Sequence, residues 1–465
     1  MKRIALLMAM IVIASIAGGF SIKADFYWTP ENLTDLQEVH FYDNSTGNIV
    51  AWIWYFGDGN SSTAKNPVHR YADNGAYLVR LVVWDDNGNM DYAEKIINVL
   101  NEPPVADAGE DITTNSYTVG FNGGFSYDED GIIINYTWDF GDGNFGYGKV
   151  VNHEYNDEGI YYVTLTVRDN DNATDDDDIE VLIDVTPPET NYSIEEEKEW
   201  YNGEVEITLN ATDNMSGINV TYYKINNEEW ETYNGSFNVS SEGINTVYFY
   251  SIDNAGNEEQ EKNFEVKIDF TPPETTYSIN ATYGKNGWIR DSAKITLNAT
   301  DNLSGVNATY YKINGGSWEK YDGKIEIATD GEYTIRFYSI DNAGNIEDEK
   351  NLTLKIDSKP PTVSIESPEA GYIYIAGRRI IRTVFDNTYI IGKFTAEVIA
   401  NDTRSEVAYV EFILNNETLW KDYVSPYTAE LPQEFPLSIN KLKVVAYDNA
   451  GNKKESNVLS YIKIL

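Results

Sequence analysis

The chain has 465 residues, 34 Lys+Arg against 75 Asp+Glu, a formal charge of −41 and no cysteine. Nucleic-acid and anionic-lipid binding, which rest on clustered basic surface, are thereby excluded, as are disulfides, thiolate catalysis, iron–sulfur clusters and zinc–thiolate sites. A hydrophobic content of 42% with 35 Tyr supports packed cores, and the length predicts several domains.

Residues 1–24 have the pattern of a secretory signal: Lys2 and Arg3, an apolar run from Ile4 to Ala17, then small residues. The run is shorter than the ~20 residues a spanning helix needs. Cleavage after Ala17 or after Ala24 fits the pattern. No later segment reaches membrane length, so the expectation is a secreted or cell-surface protein without a membrane span in the mature chain. Eighteen Asn-x-Ser/Thr triplets, from Asn32-Leu-Thr to Asn416-Glu-Thr, predict a glycosylated surface.

Repeats organise the rest. Trp54-Tyr-Phe-Gly57-Asp58-Gly59 returns 84 residues later as Trp138-Asp-Phe-Gly141-Asp142-Gly143, and the same offset carries His69-Arg-Tyr71 to His153-Glu-Tyr155. A second set follows. Thr186-Pro-Pro-Glu-Thr190 becomes Thr271-Pro-Pro-Glu-Thr275, and Lys359-Pro-Pro-Thr362 opens a third copy. Ala211-Thr-Asp-Asn-Met-Ser-Gly217 becomes Ala299-Thr-Asp-Asn-Leu-Ser-Gly305, and Asp253-Asn-Ala-Gly-Asn257 recurs at 341–345 and 448–452. Five units result: 25–100, 101–185, 186–270, 271–358 and 359–465.

Within them the periodicity is that of strands. In Tyr161-Tyr-Val-Thr-Leu-Thr-Val-Arg168, residues Tyr161, Val163, Leu165 and Val167 share one face. Asn87-Gly88 and Ala343-Gly344 read as hairpin turns, and Pro-Pro pairs stiffen the boundaries. The fold class is all-β, a tandem array of five β-sandwiches. At ~3.3 Å per strand residue such an array would extend to ~150–200 Å.

Units 25–100 and 101–185 resemble the polycystic-kidney-disease (PKD) domain through Trp-x-Phe-Gly-Asp-Gly, His-x-Tyr and Gly-x-Tyr-x-Val. The other three are similar to bacterial and archaeal Ig-like repeats. The resemblance implies Ig-like sandwiches with a non-catalytic extracellular role. It also implies that Asp128 and Asp130, in Ser126-Tyr-Asp-Glu-Asp-Gly131, match a calcium loop of some collagenase PKD domains.

The motif residues have structural readings of their own. Trp54 and Trp138 would fill sandwich centres, and Gly57, Gly59, Gly141 and Gly143 would take turn conformations costly to other residues. Asp58 and Asp142 would bond the turn backbone, and His69 and His153 would sit in packed, hydrogen-bonded positions. The acidic run from Asp169 to Asp178 reads as a solvated turn. Asp184, Asp269 and Asp357 stand just before Pro-Pro pairs, where they would cap a junction ion.

No catalytic constellation, His-Glu-x-x-His, Gly-x-Ser-x-Gly or phosphate loop occurs, so the chain reads as non-enzymatic and requires no cofactor. Calcium is the ion its oxygen-rich loops would take. Arg378, Arg379 and Arg382 form the one basic cluster, a candidate contact for an acidic partner. The functional expectation is a surface or matrix adhesion and spacer protein contacting extracellular proteins or polysaccharides. The alternatives are a carbohydrate-binding accessory protein and a component of the envelope layer.

Overall fold

Alternation along the strands makes one face of each apolar, and the chain buries those faces in separate cores. The computed structural model describes residues 21–432 and 437–464. The expected signal segment lies outside them except for its last four residues. Every regular element among the described residues is a β-strand. Five hydrophobic clusters form, one per repeat: Ala24 to Val99, Ala108 to Ile183, Val205 to Ile268, Ile289 to Ile356, and Tyr374 to Tyr461. The protein is an all-β tandem array of Ig-like sandwiches.

In the second unit Val163, Leu165 and Val167 are fully buried, and Tyr161 packs against the cluster they form, as the period-2 pattern predicts. Burial of each such aliphatic side chain is worth about 1.5–3 kcal/mol. Asn87-Gly88 and Ala343-Gly344 do lie in turns, with Gly88 at φ +84° and Gly344 at φ +98°. The acidic run differs from the expectation. Thr174–Ile183 is a strand, and Asp175 and Asp177 accept the backbone N–H of Ala106 and Ala108 at 2.9 and 2.7 Å. Carboxylates on alternate positions satisfy a neighbouring segment there instead of facing water.

Each sandwich sets one sheet against another. In the first unit Phe26–Thr29, Val39–Asp43 and Val68–His69 form one sheet, with His40 exposed. The other runs in the order Leu33–Thr34, Met90–Leu100, Gly75–Asp85, Ile49–Tyr55, Ser61–Ser62. Leu33–Thr34 pairs in parallel with the end of Met90–Leu100, Thr34 opposite Leu100. That register delivers the next residue, Asp35, to the end of the sheet where the chain leaves for the second unit. The unit also reaches back before residue 25: Lys23 bridges Thr46, and Ala24 is buried.

The fourth unit joins its sheets through the 13-residue strand Trp288–Thr300, which pairs with Glu274–Tyr283 and, in parallel, with Lys350–Ile356. The turn after Tyr283 touches the fifth unit. Lys285 N–H donates to the Asn449 carbonyl at 2.6 Å, and a Cβ on Gly284 would come within 2.2 Å of that oxygen.

Candidate functional site at the unit junctions

The duplicated motif builds the same interior twice. Trp54 and Trp138 are fully buried, and their indole N–H groups donate to the Ala64 and Gly148 carbonyls at 3.0 and 3.2 Å. Gly57 and Gly141 have φ of +92° and +73° with the chain of Leu78 and Tyr162 against them, whereas Gly59 and Gly143, at +96° and +91°, face open space. Asp58 accepts from Asn60 and bonds His69 Nε2 at 2.7 Å, and Asp142 does the same with Asn144 and His153. Each imidazole stacks 4.0 Å from a phenylalanine, Phe56 or Phe140. Burial alone would raise both carboxyls, but the bonds from asparagine and histidine outweigh it and hold them below the ordinary range. Among the described residues no hydroxyl nucleophile joins either pair, and both copies brace a turn.

The chemistry not used up in cores gathers at the junctions. Asp184, next to the last residue before the third unit, is fully buried and accepts Ser216 N–H of that unit at 3.0 Å. Asn257 returns the contact, donating from Nδ2 to the Asp184 carbonyl at 2.8 Å and to Asp253 Oδ2 at 2.7 Å. The next two junctions repeat the set. Asp269 accepts Ser304 N–H and Asn345 Nδ2–H, and Asp357 accepts Ser405 N–H and Asn452 Nδ2–H, all within 2.7–3.1 Å.

A third acid completes each place: Asp213, Asp301 or Asp402. In each triad (Asp184, Asp213, Asp253; Asp269, Asp301, Asp341; Asp357, Asp402, Asp448) one carboxylate oxygen per residue lies within 4.8 Å of the others. All-oxygen sets of this kind suit a hard divalent cation. One member of each, Asp184, Asp269 or Asp357, is the acid that its place before a Pro-Pro pair marks in the sequence. The other two carry a signal in their recurrence, twofold for the Asp213 motif and threefold for the Asp253 motif, but those motifs read equally well as turns. The fifth-unit copy is disguised: Asn401-Asp402-Thr-Arg-Ser405-Glu406 puts Glu406 at φ +63° where the earlier copies have Gly217 and Gly305 at +78° and +79°.

The first junction has a different design. Asn101 Nδ2 donates to the buried Asp169 at 2.6 Å, and Glu102 N–H donates to Asp130 Oδ2 at 3.0 Å. Asp128 and Asp130 are half-buried side by side, and Asp35 of the first unit is buried against Asp130. Burial first, then the neighbouring Asp130 charge, pushes Asp35 and Asp128 above the ordinary carboxylate range. Burial opposes the Asp130 charge too, but bonding to Asp128, Asp35 and Glu102 N–H brings it below that range. Nothing in the sequence marked Asp35, which has no counterpart in the repeats.

The remaining candidates lie apart. Arg378–Arg382 is an exposed edge strand of the fifth unit, where Arg379 pairs with Glu369 and lies over Tyr372, and Arg382 pairs with Asp386 at 3.5 Å. Trp230 and Trp318 are half-buried, edge-on to Tyr250 and Tyr338, each under a lysine. The outer sheet of the first unit has a groove of about 560 Å³ lined by Tyr55, Trp84, Met90, Tyr92 and the Arg80–Glu94 pair. No helix among the described residues is long and apolar enough to cross a membrane.

A family model for the PKD domain matches residues 28–99 and 101–183. The first two units are PKD domains. Residues of the chain are 32% identical over 79 residues to collagenase ColA of Bacillus cereus, covering 16% of this chain and 8% of that enzyme. They are 33% identical over 132 residues to the pre-pro-metalloprotease PrtV of Vibrio cholerae, covering 28% of this chain and 14% of that protein. The chain thus spans a small fraction of these relatives. The solved PKD1 domain of the Vibrio cholerae metalloprotease PrtV is 35% identical, with 17% of this chain and 98% of that domain covered and a TM-score of 0.16.

Proposed function

We propose that the protein is an exported, non-catalytic adhesion and spacer protein, holding contacts to extracellular proteins or glycans away from its point of attachment. The observation that carries this reading is the set of inter-unit bonds repeated at three junctions, Asp184 with Ser216 and Asn257 and its two copies. Bonds recurring at three successive joints fix direction along an array, which a spacer needs and a string of independent modules does not. Export is consistent with the PKD units and with the surface density of sequons; Asn210, Asn214, Asn219 and their copies Asn298, Asn302 and Asn307 are all exposed. Cleavage after Ala17 is the alternative that keeps Ala24, which is buried with its N–H donating to Asp91 at 2.8 Å. Calcium at Asp128 and Asp130 belongs to this reading, as an ion that holds the junction and takes part in no reaction.

The first-unit groove favours a second reading, glycan binding, since Trp84, Tyr92 and Tyr55 offer ring faces beside a charged pair. The test is sedimentation of the full chain with insoluble polysaccharides and with envelopes from its own source. Retention on envelopes, reduced when Arg378, Arg379 and Arg382 are changed to Gln, supports protein-mediated adhesion. Retention on a polysaccharide, lost in Trp84→Ala, supports the second reading. Failure to sediment with either overturns the adhesive part of the proposal.

A further inference from the structure

Asp35 of the first unit is 4% exposed, and its Oδ1 has no hydrogen-bond donor. It faces Asp130 of the second unit, another acceptor. Asp130 Oδ1 and Asp128 Oδ2 are likewise buried without a donor. Three orphaned carboxylate oxygens from two units therefore lie at one joint, with Asp130 meeting Asp35 on one side and Asp128 on the other. A buried polar atom without a partner is rare, and three of one sign together are far more costly than one. At the later junctions Asp184, Asp269 and Asp357 each have both oxygens met by backbone N–H groups.

The backbone shows that this arrangement is built in. The parallel pairing of Thr34 with Leu100 brings Asp35 beside the exit strand, and Glu102 N–H anchors Asp130 to the connecting segment. The side chains that meet here, Asp35, Asp128 and Asp130, are all carboxylates, with the Arg70 guanidinium donating to the Asp35 backbone carbonyl at 3.3 Å, and such an oxygen set suits a calcium ion, which takes 6–8 oxygens. We propose that Asp35 is a calcium ligand supplied across the first junction, completing a site with Asp128 and Asp130, so that calcium locks the first PKD unit onto the second. The proposal rests on the reading of Asp128 and Asp130 as calcium ligands at this junction and deepens it by adding a ligand, Asp35, from the first unit.

The absence of cysteine makes the test direct. Spin labels on Thr63→Cys and Lys149→Cys, exposed positions of the two units, report their separation in the full chain. Calcium is expected to narrow the distance distribution and a chelator to broaden it. Calcium titration followed by terbium luminescence is expected to show one site lost in Asp130→Asn and weakened at least tenfold in Asp35→Asn, with narrowing abolished in both. Hydrogen exchange of the first unit checks that Asp35→Asn remains folded, and Asp35→Ser provides a second variant. If Asp130→Asn abolishes the site while both Asp35 variants keep wild-type affinity and narrowing, the ion is held by the second unit alone and the clamp is refuted. If Asp128→Asn and Asp130→Asn also leave binding and distance unchanged, the underlying calcium reading falls with it.

Discussion

Replacing Asn257 by alanine removes one side chain that ties two units together. Asn257 is 8% exposed, and its Nδ2 donates to the Asp184 carbonyl at 2.8 Å and to Asp253 Oδ2 at 2.7 Å. Both acceptor residues are fully buried, so water cannot replace the lost donor. Leaving a buried acceptor unpaired costs about 1–3 kcal/mol, more when it is charged, which puts the variant about 2–4 kcal/mol below wild type. Each 1.4 kcal/mol is tenfold in an equilibrium, so protection in strand Gly243–Asp253 should fall roughly 30- to 700-fold. Hydrogen exchange resolved by peptide is the assay, because it separates five similar units that a melting curve would blend. Strand Gly331–Asp341, held by its own Asn345, serves as the internal control. Protection should also fall in Thr174–Ile183, the last strand of the second unit, because the Asp184 carbonyl has lost its partner. A loss of less than about fivefold in the third unit, or an equal loss in the fourth, would refute the assignment of this bond as a joint.

Three further outcomes are expected. Gly141→Ala should destabilise the second unit by at least about 1 kcal/mol more than Gly143→Ala, although both have positive φ, because a Cβ at 141 would lie 2.5 Å from the Tyr162 carbonyl while 143 faces open space; urea midpoints of the single variants decide it. Glu406→Gly should stabilise the fifth unit by about 0.5–1 kcal/mol, since it relieves a left-handed backbone that its sister positions assign to glycine; a fall in the unit's thermal midpoint would contradict this. The depressed carboxyls of Asp58 and Asp142 contribute stability that is present above the unfolded-state value of about 3.9 and lost as pH falls through their lower folded values. The loss of stability in units one and two between pH 5 and 2 should therefore shrink in Asp58→Asn and Asp142→Asn, as read from urea midpoints across that range.

Much of the architecture was legible because its causes are local. Alternation in Tyr161–Arg168 fixes which side chains are buried, and a glycine at positive φ declares a turn wherever it recurs. Exact repetition of Trp54 and His69 at Trp138 and His153 reveals a scaffold, since two copies of one interior need the same rings. The acidic strand Thr174–Ile183 escaped this logic because its carboxylates are satisfied by Ala106 and Ala108, almost 70 residues away.

Periods and motifs that span a few residues already carry the fold class, the PKD units and the acidic character. Which acids meet depends on how the sheets pair and the units abut. Asp184, Asp213 and Asp253 are far apart along the chain and become neighbours because the end of one sandwich inserts between two turns of the next. Asp35 reaches Asp130 because a two-residue parallel pairing carries it to the exit of its own unit. Such pairings depend on register and on how one unit abuts another, and neither quantity is written in local spacing.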